Sequence, residues 1–483
     1  MSSEDVGPLF EEVARHAAGF IERLPKRPVR NSAGLEELRD AFDGPLPESG
    51  LPAETIIKEL AANAEPGLVA TTSGRFFGFV IGGAMPVTIA ADWLTSAWDQ
   101  NAGLYVASPA SSVVEDVAGR WLIELLGLPE GASFGFVTGG QMANFTGLAA
   151  ARHHVLEQRG WNVQEQGLQG APRIRVLANE TRHDTIDRAL RYLGLGTGSI
   201  QPIAADDQGR MDVKTLQHAL EESDAPTIVS AQAGNVNSGA FDPFAEICGV
   251  AHEHGAWVHV DGAFGLWAAA SPARRALTAG IAVADSWATD AHKWLNVPYD
   301  SGVVFCAHPG SHRAAMSVHA SYLIHAEGAE RDQMDWNPEF SRRERGFAVY
   351  AAIRYLGRDG IAKMVDRCCD HALRFAKALG SHENIEILND VVLNQVLVRF
   401  LSEDGDHDAK TRAVVTGVQN DGTCWMSGTI WRGVAAMRIS VSNWSTTADD
   451  VDRSVEAILR VAASIDDRRD LSPNSATGPP SNA

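Results

Sequence analysis

Ala288-Thr289-Asp290-Ala291-His292-Lys293-Trp294-Leu295-Asn296 places one lysine among apolar and aromatic neighbours. Apolar Val283-Ala284 precede it, so the stretch reads as buried and not as a solvated basic face. Desolvation favours the neutral amine, the form that attacks carbonyls. Thirty-two residues upstream, Asp261 closes the β-rich run Ala256-Trp257-Val258-His259-Val260. Taken alone, a buried Lys and Asp more often make a structural ion pair than a catalytic one. They are also what pyridoxal 5′-phosphate (PLP) needs. The lysine forms the Schiff base, and the carboxylate keeps the pyridine nitrogen protonated so that the ring acts as an electron sink.

Three further stretches favour the cofactor reading. Phe136-Val137-Thr138 is a short apolar strand running into Gly139-Gly140-Gln141, and a helix then opens through Ala143-Asn144-Phe145. Glycines let backbone N–H groups approach a phosphate, and the helix dipole adds partial positive charge there. His183 stands at a predicted helix start in Thr181-Arg182-His183-Asp184-Thr185, where an imidazole can stack on a planar ring. The amide- and hydroxyl-rich turn Gly234-Asn235-Val236-Asn237-Ser238 follows the strand Thr227-Ile228-Val229-Ser230, a common place for a ligand contact in an α/β sheet.

In this order the pieces resemble the group II PLP-dependent amino-acid decarboxylases, the family of the aromatic amino-acid, histidine and glutamate decarboxylases. The resemblance runs from about Arg75 to Ile458. It opens with Arg75-Phe76-Phe77-Gly78-Phe79, passes Ala107-Ser108-Pro109-Ala110 and Trp121 to Leu126, and ends with Met437-Arg438-Ile439-Ser440-Val441-Ser442-Asn443-Trp444. It implies Lys293 as the Schiff-base lysine, His292 as a phosphate contact, and Asp261 as partner of the pyridine nitrogen. Ala263 would pack on one ring face and His183 stack on the other. Gly139, Gly140 and Gln141 would provide phosphate contacts. Arg438 looks like the arginine that receives a substrate carboxylate, for which its planar two-donor fork is matched. Without the resemblance, Arg438 reads as a surface arginine beside a strand.

The resemblance further implies an α/β fold of the PLP-dependent transferase type (aspartate aminotransferase fold type I). That fold has a mainly parallel seven-stranded sheet with helices on both faces and a small C-terminal α/β domain. The pattern agrees, since strand-like runs such as Arg173 to Ala178 and Gly302 to Phe305 alternate with helical stretches. We expect an N-terminal helical arm over 1–85, a PLP-binding domain over 86–345, a small domain over 346–466 and a disordered tail over 467–483. The arm holds too little apolar content for its own core, so it is expected to wrap a partner subunit of a homodimer.

Composition excludes other classes. The chain has 483 residues with 41 Lys plus Arg against 61 Asp plus Glu, a net charge of −20. That argues against nucleic acid or an anionic membrane as partner, and for an acidic cytoplasmic protein; the small-molecule amino-acid substrate is what the resemblance implies. Five cysteines without a CxxC indicate neither disulfides nor a metal site. No run reaches the roughly 18 apolar residues of a membrane span, and the acidic N-terminus is unlike a signal peptide.

The activity implied is loss of CO2 from an L-amino acid to give the amine. Phe79 and Trp98 are candidates to flank its side chain. Relatives for aromatic substrates place bulky groups where this chain has the smaller, more polar Gln100-Asn101-Ala102-Gly103, which speaks against requiring an aromatic substrate. Phe76-Phe77-Gly78-Phe79 lacks the polar residues of glutamate decarboxylases, so a neutral side chain is expected. One stretch departs from the family. In a mobile loop expected over Tyr322 to Pro338, the tyrosine of aromatic decarboxylases falls on Gln333, with Tyr322 and His325 as substitutes. Replacement of that tyrosine is associated with aldehyde synthases, in which oxygen oxidises the carbanion. The alternatives are thus a decarboxylation-dependent oxidative deaminase, an aminotransferase and a non-catalytic PLP-binding protein.

Overall fold

Seven short strands, nearly every residue of them buried, form the centre of the molecule. The computed structural model describes residues 6–318 and 330–470. The strands are β1 (Ser133–Val137), β2 (Arg175–Asn179), β3 (Ile200–Ile203), β4 (Thr227–Gln232), β5 (Trp257–Asp261), β6 (Ser286–Asp290) and β7 (Gly302–Cys306). They lie in the order β1-β7-β6-β5-β4-β2-β3. The five strands from β3 to β6 run parallel, and β7 is antiparallel to both its neighbours. As expected from sequence, the sheet is mainly parallel.

Strand periodicity sorts the core into two faces. Val176, Ala178, Ile228 and Trp257 belong to one apolar cluster with Leu148, Val155 and Leu156 of the helix Gly140–Glu157. Their strand neighbours Leu177, Val229 and Val258 belong to another, with Phe244, Ile247 and Ala251 of the helix Phe244–Glu253. Sheets covered by helices on both faces have buried, largely apolar strands, and the polar residues here, such as Asp261 and Asp290, gather toward the strand ends.

The helix Gly346–Leu379 leads away from the large sheet and bends at Gly357, whose φ of 60° lies in the left-handed region that suits glycine. Beyond it come β8 (Ile385–Ile387), β9 (Gln395–Phe400), β10 (Ser427–Trp431) and β11 (Val434–Ser440). These form a second, wholly antiparallel sheet in the order β10-β11-β9-β8. At the other end of the chain, the helices Val6–Arg23, Leu35–Phe42 and Ala53–Ala64 bury none of their residues.

Candidate active site

The parallel arrangement sends β2, β4, β5 and β6 to one edge of the large sheet, and β1 ends at the same edge. Residues following strand ends therefore meet there, at the side of an α/β sheet where ligands bind. They line a partly open recess whose walls include Gly140, Gln141, Asn144, His183, Asp261, Ala263, Asp290 and Lys293. Six residues singled out from sequence are among these. Gly139 and His292 lie just behind the wall, in contact across Asp290.

The structural ion pair that Lys293 makes is with Asp290 and not with Asp261. Lys293 Nζ lies 3.0 Å from Asp290 Oδ2, three residues before it, and its side chain keeps 21% of its exposure. Asp290 also accepts from the Gly140 N–H at the start of the Gly140–Glu157 helix, and its Oδ1 is 3.3 Å from His292 Nε2. Ser301 N–H donates to His292 Nδ1 at 3.0 Å, so the ring proton sits on Nε2 and points at Asp290. Burial holds the His292 pKa below its ordinary value, with Asp290 pulling the other way, and Tyr299 stacks on the ring at 4.2 Å. Asp290 carried no assigned role from sequence. Its signal was its position at the end of a buried strand, three residues before the lysine.

Asp261 terminates β5 and is held at both oxygens, by Asn144 Nδ2 at 3.1 Å and by the Ala263 N–H at 3.2 Å. His183 caps the helix Asp184–Tyr192, accepting the Thr185 N–H on Nδ1. Its imidazole is thus fixed by the helix it starts, while one face stays open to the recess.

The glycines meet a steric demand. A Cβ on Gly140 would come within 2.7 Å of Asp290 Oδ2, and one on Gly139 within 3.0 Å of the His292 ring. Beside them, Gln141 Oε1 is buried without a hydrogen-bond partner. A helix N-terminus, bare glycines and a spare polar atom fit an anionic phosphate group, and Lys293 and Asp261 fit the carbonyl and ring nitrogen of PLP.

The residues expected to meet substrate lie elsewhere. Phe79 is 58% exposed and packs on Trp425; Trp98 is 50% exposed and packs edge-on against Phe347. Neither lines the recess. The Pro86–Trp98 helix is docked on the Gly346–Leu379 helix, which carries Trp98 away from the strand ends. Arg438 on β11 is not on the wall either. It donates to Asn237 Oδ1 at 3.3 Å, next to the wall residue Val236, and leaves Nε without a partner. Burial brings its pKa down to about 10, so it remains a cation at neutral pH.

The mobile-loop reading of Gln333 is corrected. Gln333 is fully enclosed in a 3-10 turn, Gln333–Trp336, and among the described residues neither amide atom has a hydrogen-bond partner. Met334 N–H donates to Gly103 O, Asn337 donates to Gln333 O, and Arg313 pairs with Asp335 at 2.7 Å. These anchors hold the turn shut. Tyr322 and His325 lie outside the described residues.

The sequence profile of the pyridoxal-dependent decarboxylase conserved domain matches residues 36–401. The chain belongs to that family. An aromatic-L-amino-acid decarboxylase from Bacillus atrophaeus is 26% identical over 96% of this decarboxylase and 97% of its own length. An acidic amino acid decarboxylase from Xenopus tropicalis is 28% identical over 73% and 70%. Among solved structures, Oryza sativa TDC with PLP and tryptamine superposes with a TM-score of 0.90 at 22% identity, covering 96% of this chain and 99% of that one. Rhodiola rosea 4-hydroxyphenylacetaldehyde synthase gives 0.86 at 22% identity over 96% and 99%. The enzyme is a PLP-dependent carboxy-lyase acting on an amino acid, with the fold type expected from sequence. Among the described residues, no helix is long and apolar enough to cross a membrane.

Proposed function

We propose that this decarboxylase converts an L-amino acid with a neutral side chain to its amine and CO2, working as a cytoplasmic homodimer. The observation that carries the reading is the convergence of Lys293, Asp261, His183 and Gly140 on one recess. Bound there, PLP supplies an electron-accepting ring for the pair released when the α-carboxylate leaves. Lys293 would hold the cofactor through Nζ and give way to the substrate amine. Asp261 would keep a proton on the ring nitrogen, with Ala263 and His183 on either face. Gly139, Gly140, Gln141 and His292 would hold the phosphate end, and the Arg438 fork would take a substrate carboxylate.

Charge supports the neutral side chain. Among the described residues of the wall, Asp261 and Asp290 face one cation, Lys293, leaving no spare positive charge for an acidic side chain. Exposed Phe10, Phe42 and Leu46 in the first 85 residues support an arm that covers a second copy. Residues 86–345 then carry the recess and 346–466 the second sheet.

The test is a panel of neutral, aromatic, acidic and diamino acids scored for CO2, amine, aldehyde and peroxide. Equal amounts of amine and CO2 from a neutral amino acid are expected. Aldehyde with peroxide, amino transfer to 2-oxoglutarate without CO2, or no turnover at all overturns the reading.

A further inference from the structure

Behind the recess lies a chain of buried polar side chains whose hydrogen-bond order is set at its Asp261 end, where only the Asn144 Nδ2 can donate to the carboxylate. It starts at Trp257, whose indole N–H can only donate, and does so to Ser286 Oγ at 2.9 Å. The Ser286 hydroxyl is then free to donate to His259 Nδ1 at 2.8 Å. With Nδ1 accepting, the neutral imidazole carries its proton on Nε2, which donates to Asn144 Oδ1 at 2.9 Å. That contact agrees with the lie of the Asn144 amide. Its Nδ2 donates to Asp261 Oδ2 at 3.1 Å and to Thr185 Oγ1 at 3.2 Å. Thr185 Oγ1 lies 3.0 Å from His183 Nδ1, the nitrogen that already accepts the Thr185 N–H, so the hydroxyl donates as well.

The fold is arranged for this contact. Trp257, His259 and Asp261 alternate along β5 and so share one face, and His259 is paired with Ser286 in register on β6. The helix Gly140–Glu157 lies over that face. A side chain at its Gly147 would place Cβ 2.7 Å from His259 Cε1, so glycine makes the space for the ring. Asn144 stands one turn earlier on the same helix. His259, Ser286 and Asn144 have 0%, 0% and 1% of their surface exposed.

We propose that Trp257, Ser286, His259 and Asn144 act as positioning residues, a relay that presents an amide donor to Asp261 and, through the Thr185 hydroxyl, reaches His183, whose tautomer the Thr185 N–H sets. The opposite direction would flip the Asn144 amide and set its oxygen against the Asp261 carboxylate, leaving two acceptors face to face in a dry site. The relay thereby ties the donor to Asp261, the group under the pyridine nitrogen, to buried side chains on β5 and β6. It rests on the reading above, that Asp261 and His183 face the cofactor.

The test uses full-length holoenzyme and the variants Ser286→Ala, Asn144→Asp and Asp261→Asn. The readouts are kcat, KM, PLP dissociation constant and the visible circular dichroism of the lysine-bound cofactor. Ser286→Ala removes a hydroxyl that touches no ligand. We expect kcat to fall about tenfold with KM within twofold, and the visible dichroic band to weaken, while borohydride still traps the cofactor on Lys293. Isosteric Asn144→Asp, which puts a carboxylate against Asp261, is expected to lose about a hundredfold and to weaken PLP binding. It also serves if Ser286→Ala does not fold. If the folded variants keep kcat and an unchanged dichroic band while Asp261→Asn loses turnover, the relay is wrong and the reading of Asp261 stands. If Asp261→Asn itself keeps turnover, the reading of Asp261 fails and the relay has no function to serve.

Discussion

The two halves of the candidate site are built in opposite ways. On the large sheet, Gly140, His183, Asp261, Asp290 and Lys293 converge within one chain, each at a strand end and each with an assigned hydrogen-bond or ionic partner. On the substrate side, Phe79 and Trp98 stand more than half or half exposed, and Arg438 holds a single long bond and an unpartnered Nε. The first half is complete because strand ends are rigid and share an edge. The second is drawn from the N-terminal segment and the small sheet, whose relation to the recess depends on long-range packing and, on our reading, on a second copy. A fixed cofactor half beside an unfinished substrate half suits a family whose members take different amino acids.

The comparison breaks most visibly at Lys293. Lys293→Ala should lose turnover by on the order of a thousandfold or more and leave no adduct after borohydride reduction, since the amine that forms the covalent link is gone. A reduced adduct on another lysine, found by peptide mapping, would move the site. Next comes Asp261→Asn, with a loss on the order of a hundredfold at near-normal PLP binding, because a neutral amide cannot hold the ring proton. Near-normal kcat in that variant would make Asp261 structural.

Smaller effects probe the other half. Arg438→Lys keeps the charge but loses the fork, so KM should rise about tenfold with kcat less affected, a charge-assisted hydrogen bond being worth about 1.5–3 kcal/mol. An unchanged KM would remove Arg438 from the substrate site. In the arm, Leu46, 90% exposed, has no cover in one chain. Leu46→Ser should weaken subunit pairing by about 1 kcal/mol, near a fivefold rise in dissociation constant by ultracentrifugation. Specific activity should then fall on dilution, while the lysine-bound cofactor band does not. A fully active monomer would show that one chain finishes the substrate half by itself.

What the sequence made legible follows the same division. Lys293, Asp261, the Gly139-Gly140 turn and His183 can be read because each belongs to a local pattern of strand, turn and helix start. The pairing of Lys293 with Asp290 was not legible, because residue spacing does not say where a long side chain turns once it leaves a strand end. His259 and Asn144 could have been noticed, since a histidine two residues before Asp261 on a buried strand must share its face. What they bond to required the register of β5 with β6 and the helix laid above. Gln333 was misplaced for the same kind of reason. Its enclosure comes from Gly103 and from the Arg313–Asp335 pair, neither of which a reading of residues 331–338 contains.

The last effect concerns stability, and it links the relay to a second buried histidine far along the chain. His259 is enclosed beneath Asp261, and His312 joins Ser133 Oγ at 2.9 Å to Trp336 O at 2.9 Å, anchoring the turn that holds Gln333. Burial brings their pKa values down from 6.5, to about 4 for His259 and about 3 for His312. Unfolded, both rings take up protons as pH falls through about 6.5; folded, they stay neutral until about 4 and about 3. The unfolded chain therefore binds more protons in that window, and stability that is full above about pH 6.5 is lost as pH falls toward 4. The slope approaches about 1.4 kcal/mol per pH unit for each ring. The two rings' contribution should lower stability, read from denaturant midpoints, between pH 7 and pH 5, and His312→Gln, which cannot be protonated, should remove up to about 1.4 kcal/mol per pH unit from the slope. An equal slope in wild type and His312→Gln would mean that His312 is already charged, or already wet, in the native protein. The 3-10 turn that holds Gln333 would then be looser than its bonds to Gly103 and His312 imply.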